Sequence, residues 1–158
     1  MLGTPRTIAT CLKDIKFLNF FFERVQPNNT GIHTTSHPYV SICADEANYI
    51  SCDDTPIVYI DLIVNGEEAS LAWAGNLTAP FRPDLVQLSP SGRVYYPSPR
   101  ALDTEGLLAK VGARRRLKSA FDVGPLSLLK STIIPMLDFD ESSASIRWRG
   151  DSFPIKTL

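Results

Sequence analysis

The chain has no long apolar run, no excess of charge of either sign, few cysteines and few histidines, and each shortage removes a class of function. Its most apolar early stretch, FLNFFF at Phe17 to Phe22, falls far short of the roughly 18 to 20 residues that cross a bilayer, so no membrane span is expected. Sixteen basic against seventeen acidic residues leave a formal charge of -1, and no global field draws the protein to nucleic acid or anionic lipid. Cys11, Cys43 and Cys52 are the only cysteines, and the eight residues between Cys43 and Cys52 do not match the close pairs of zinc sites. His33, His37, Cys43 and Cys52 form the one set resembling metal ligands, and exposed histidines with ordinary strand cysteines explain it better, while Cys11 reads as a small buried side chain. No metal site and no cofactor are expected. Phosphate-binding glycine loops, G-x-S-x-G and H-E-x-x-H are absent, so no catalytic residue is assigned.

What is present suits a folded chain. Hydrophobic residues make up 44% and charged residues 21% of 158, the balance of a globular domain burying about 70% of its unfolded surface. Neither a secretory signal nor a transit peptide is evident at the start, so the chain reads as intracellular. The N-x-T tripeptides at Asn28 and Asn76 carry meaning only in a secreted protein.

Thr4-Pro5 and Asp14 look like helix starts, predicting helices over about Pro5 to Lys13 and Ile15 to Val25. In the second, Phe17, Leu18, Phe21, Phe22 and Val25 recur at helical spacing and read as a core face. Four hairpins are expected. The first joins His37–Cys43 to Asn48–Cys52 through a five-residue loop, with Ile42 opposite Ile50 and Val40 opposite Cys52. The second turns at Asn65-Gly66, setting Leu62 opposite Ala69, Ile60 opposite Leu71 and Val58 opposite Trp73, with Tyr59 on the other face. The third flanks Ser89-Pro90-Ser91-Gly92 and aligns Leu88 with Val94. The fourth turns at Gly150-Asp151 and aligns Trp148 with Phe153. Further helices are expected over Leu102 to Ala120 and Leu126 to Leu137. The order predicts an α+β fold of antiparallel β-hairpins packed against helices in repeated hairpin-helix motifs, as a single domain or as two small lobes at about 1–80 and 81–158.

Candidate binding residues lie at strand ends. Asp53 and Asp54 could serve acid-base chemistry or a cation, although a turn before Pro56 explains them as well. Arg93, Tyr95, Tyr96 and Arg100 around Pro97 and Pro99 offer planar and cationic groups for a ligand. Arg114-Arg115-Arg116, with Lys110 and Lys118, reads as a solvated helix end. The expected function is a non-enzymatic module binding a small molecule or a protein. The alternative is an enzyme using the Asp53/Asp54 carboxylates in a groove.

The succession CLKDIKFLNFFFERVQPN, HPYVSICADEANYISCDDTPIVY and SGRVYYPSP, from about Thr7 to Pro99, resembles an uncharacterised protein family of eukaryotes, number zero-five-nine-eight. Its matching residues include Cys11, Asp14, Pro27, Asn28, Gly31, Cys43, Cys52, Asp54, Pro56, Arg93, Tyr96 and Pro97. The resemblance supplies no catalytic residue. It implies an aromatic-rich hairpin before the first helix and, in animal members, an Arg-rich leader that points to mitochondria; this chain begins with neither, which suggests a missing start. The stretch Asp54 to Ile155 is fainter in its similarity to a bacterial domain of unknown function, number twelve-eighty-five, which implies α+β repeats and ligand binding or signalling.

Overall fold

The computed structural model describes residues 13–104 and 126–158. Asp14 caps helix α1 (Ile15–Phe22) as expected, its carboxylate accepting the Phe17 N–H at 2.7 Å and pairing one of the donors that a helix start leaves open. The helix ends at Phe22, short of the expected Val25. Val25 is instead fully buried in strand β1 (Val25–Pro27), where it pairs with Ser41, a role that suits a β-branched side chain. Of the expected apolar stripe, Phe21 and Phe22 pack against the core; Phe20, which lies outside that stripe, is 38% exposed beneath the Arg24 guanidinium. The helix expected over Pro5 to Lys13, with Cys11, lies outside the described residues.

The α+β expectation is overturned. Strand is the dominant regular structure of the described residues, arranged in three sheets with two short helices and no repeated hairpin-helix unit. Strand β1 joins β2 (Tyr39–Cys43) and β3 (Glu46–Ile50) in one sheet. The largest sheet holds β4 (Val58–Asn65), β5 (Glu68–Trp73), β6 (Leu77–Pro80), β7 (Gln87–Leu88), β8 (Val94–Pro97), β9 (Leu126–Leu129) and β13 (Lys156–Thr157), in the order β13-β7-β8-β9-β4-β5-β6. The third contains β10 (Asp138–Asp140), β11 (Ser145–Trp148) and β12 (Asp151–Pro154).

Two helix expectations account for much of the error. Leu126 to Leu137 does not form a helix: Leu126–Leu129 is β9, inserted between β8, which it meets antiparallel, and β4, which it meets parallel. A short apolar run such as LSLL fits strand and helix alike, and pairing on both edges decides it. Ser127 and Leu129 are buried, and only Ile134–Met136 winds into a 3-10 turn. Helix α2 (Pro99–Thr104) begins before the expected Leu102, because Ser98 accepts the Ala101 N–H on its hydroxyl at 3.2 Å and Pro99 opens the helix. The rest of the expected Leu102 to Ala120 helix, with Arg114 to Arg116, lies outside the described residues.

The hairpins stand where expected, with register the variable. Leu88 does pair with Val94. The β2–β3 loop is shorter than expected: Ala44 takes φ 53°, Ile42 pairs with Ala47, and Val40 pairs with Tyr49. At β4–β5 the turn moves one residue on, Gly66 takes φ 58°, and Leu62 faces Leu71. Because that slide is two residues along the partner, Leu62, Val64, Ala69 and Leu71 keep their common face. A bulge at Ile60 then breaks the alternation: Tyr59, expected outside, is fully buried opposite Trp73, and Ile60 is 40% exposed. The last hairpin slides likewise, turning at Arg149-Gly150, both at positive φ, so that Ile146 faces Phe153.

Two contacts join the third sheet to the largest, and a further one seats helix α1. Phe81, next to β6, meets Trp148 of β11 edge-on at 5.0 Å, and the Arg149 guanidinium donates to the carbonyls of Gly66 and Glu67 at the β4–β5 tip. Helix α1 seats on the β5–β6 turn through Asn19, whose Oδ1 accepts the N–H groups of Gly75 and Asn76 at 3.0 Å each. Asn28, itself buried, shapes the loop before β2, donating to the carbonyls of Ile32 and His37 and accepting from Thr30. That amide is part of the fold.

Candidate functional site

The segment ahead of β4 crosses one face of the largest sheet and makes a cleft there. Thr55 anchors it, its hydroxyl donating to the Ile57 carbonyl at 2.8 Å and accepting the Leu128 N–H at 3.0 Å, so that the chain before Pro56 is tied to β9. Asp54 follows from that placement. Its Oδ2 accepts from the Arg93 guanidinium and from the Tyr95 hydroxyl, the latter at 2.8 Å. Arg93 is delivered by the β7–β8 turn, in which Gly92 takes φ 83° and Ser89 Oγ accepts the Arg93 N–H at 3.0 Å.

The cleft has a volume of about 570 Å³, within the range of small-molecule sites. Val58, Leu128 and Ile134 supply apolar lining; Cys52, Asp53, Asp54, Arg93, Lys130 and Ser131 supply polar groups. Asp53 and Lys130 are exposed and have no ion-pair partner among the described residues. Donating to Asp54, above all, holds the Tyr95 phenol above its ordinary pKa, and the same carboxylate raises that of Arg93. Burial, ahead of the neighbouring Asp54 and Asp53 charges, pushes the Cys52 thiol up, so at neutral pH it is a protonated thiol.

Sequence reasoning named Asp53, Asp54, Arg93, Tyr95, Tyr96 and Arg100, and the fold separates them. Asp53, Asp54 and Arg93 line the cleft, and Tyr95 bonds to Asp54. Tyr96 points to the opposite face, as the next residue of a strand must, and is fully buried. There it donates to the Pro80 carbonyl and accepts the Arg82 N–H, both at 2.9 Å. Arg100, on α2, donates to the carbonyls of Val25 at 2.5 Å and Glu23 at 3.3 Å, holding β1 in place. Lys130, Ser131 and Cys52 were missed as site residues. Reading the segment after Leu129 as helix hid Lys130 and Ser131, and nothing local marks either of them.

The metal set is also dispersed. His33 and His37 sit edge-on to each other and to Tyr49, at 5.8 Å and 5.2 Å from the His33 ring; Cys43 is buried in β2, and Cys52 lies on the cleft. Among the described residues no group of three or more His, Cys, Asp or Glu could hold a metal ion.

These features define a mostly-β protein whose largest sheet carries a mainly apolar cleft with a polar wall, and no described helix is long and apolar enough to cross a membrane. Residues 5–134 match the family described as "Domain of unknown function (DUF4505)", and the chain belongs to that family. No solved structure matches it.

Proposed function

We propose that the chain is a non-enzymatic binding module that takes a small molecule in the cleft between Asp53-Asp54, Gly92-Arg93 and Leu128 to Ser131. The observation that carries this reading is the joining of a preformed polar wall to an apolar floor. Arg93 and Tyr95 hold Asp54 in one orientation, beside Val58, Leu128 and Ile134. Concavity favours a small molecule over a flat protein surface. A carboxylate enzyme is the weaker reading, because Asp54 already accepts two hydrogen bonds and Tyr96 is turned away from it.

The same proposal takes the chain as one domain, since strands from both sides of residue 80 share the largest sheet. It retains the resemblance of Thr7 to Pro99 to family zero-five-nine-eight, and with it a mitochondrial setting. The test is native mass spectrometry of the purified full chain, followed by a thermal-shift screen against a metabolite library. A bound or stabilising small molecule that protects the Cys52 thiol from alkylation supports the proposal. Absence of any such molecule from both experiments refutes it.

A further inference from the structure

The pairing of β8 with β9 sets Tyr95 across from Leu128, and the pairing of β9 with β4 sets Val58 beside Leu128. Carried two residues along, the antiparallel register puts Arg93 across from Lys130, and both line the cleft. Like charges at such positions repel each other. Asp54 answers Arg93, while Lys130 has neither an ion-pair nor a side-chain hydrogen-bond partner among the described residues. The site thus offers Lys130, a cation in no ion pair among the described residues, next to a guanidinium whose fork is only partly used, above apolar Val58, Leu128 and Ile134, with Asp53 the carboxylate of the cleft that is likewise in no ion pair. An anionic head on an apolar body complements that arrangement. Asp53 and Asp54 stand on the same cleft and would repel a second negative charge, which favours a carboxylate over a phosphate ester.

Resting on the cleft reading above, we infer that the ligand is a small free monocarboxylic acid, its carboxylate between Lys130 and Arg93 and its apolar tail on Val58, Leu128 and Ile134. The experiment titrates the full chain, labelled with nitrogen-15, with octanoate, octanol, octylamine and an acetylated peptide ending in leucine, following amide shifts. Octanoate is expected to bind most tightly and to move the amides of Arg93, Val94 and Leu128 to Ser131. Lys130→Met should weaken octanoate by about two-fold to five-fold, the worth of a solvent-exposed ion pair, and Lys16→Met on α1 should leave it unchanged. Equal or tighter binding of octanol or octylamine, or an unchanged octanoate affinity in Lys130→Met, overturns the carboxylate assignment while leaving the small-molecule cleft standing. Tighter binding of the peptide overturns the free-acid assignment. If no probe moves the cleft amides, the carboxylate inference falls and the cleft reading loses its apolar basis with it.

Discussion

Tyr59 donates its hydroxyl hydrogen to the Pro97 carbonyl at 2.7 Å inside the core, from a strand whose bulge at Ile60 turns the ring inward. The bond links β4 to the end of β8 across the intervening β9, and the Tyr59 ring meets Tyr96 edge-on at 5.7 Å.

Tyr59→Phe keeps that ring and removes the donor, leaving a buried carbonyl without its partner. The expected cost is about 1–3 kcal/mol, the penalty for an unsatisfied buried group. Urea unfolding should show a lower midpoint with an unchanged slope. A midpoint equal to that of the parent would mean that the hydroxyl contributes nothing.

Stability should fall in alkali. The phenols of Tyr59 and Tyr96 are raised first by burial, and that of Tyr95 first by its bond to Asp54. Each folded phenol holds its proton more tightly than the unfolded chain does. The contribution is therefore complete below the unfolded value of about 10 and is lost as pH climbs from there toward the folded values. Urea midpoints measured between about pH 8 and about pH 11 should decline across the upper part of that range, and less steeply in Tyr96→Phe. A flat profile would contradict the burial of these hydroxyls.

Asp54→Asn tests the wall of the cleft. Without the carboxylate, the Tyr95 phenol should titrate closer to its ordinary value, because its largest upward influence is gone. The measurement is the alkaline ultraviolet difference spectrum of Asp54→Asn, with Asp54→Asn/Tyr95→Phe identifying the Tyr95 signal. An unmoved or higher Tyr95 pKa would show that the phenol does not depend on Asp54.

Gly75→Ala should dislodge α1. A Cβ there would lie 2.5 Å from the Ile15 carbonyl oxygen and 2.8 Å from Asn19 Oδ1, too close for either to remain in place. We expect about 1–3 kcal/mol of destabilisation, as for other overpacked positions. Hydrogen exchange should speed up across Leu18 to Phe22 while β8 stays protected. Unchanged exchange in α1 would show that the helix does not depend on this close approach.

Features set by near neighbours were legible in the chain. Asp14 caps α1 because its carboxylate needs only the N–H of Phe17, and Leu88 meets Val94 because the four residues between Leu88 and Arg93 permit few turns. The Asn65-Gly66 and Gly150-Asp151 regions do turn, yet each turn sits one residue from its expected place. Either position keeps the same apolar face, so hydrophobic pattern alone does not choose between them. For the site, alternation along β8 shows that Tyr95 and Tyr96 face opposite ways, but not which of them faces the cleft.

By itself, then, the sequence determined the turn regions, the cap of α1, the apolar face of the β7–β8 hairpin and the shared face of Leu62, Val64, Ala69 and Leu71, all of which depend on residues a few positions apart. Tertiary structure decided that Leu126 to Leu129 is a strand, because its partners, Tyr95 to Pro97 and Val58-Tyr59, lie tens of residues away and satisfy its backbone on both edges. From that one insertion comes the placing of Leu128 to Ser131 on the same cleft as Asp54 and Arg93.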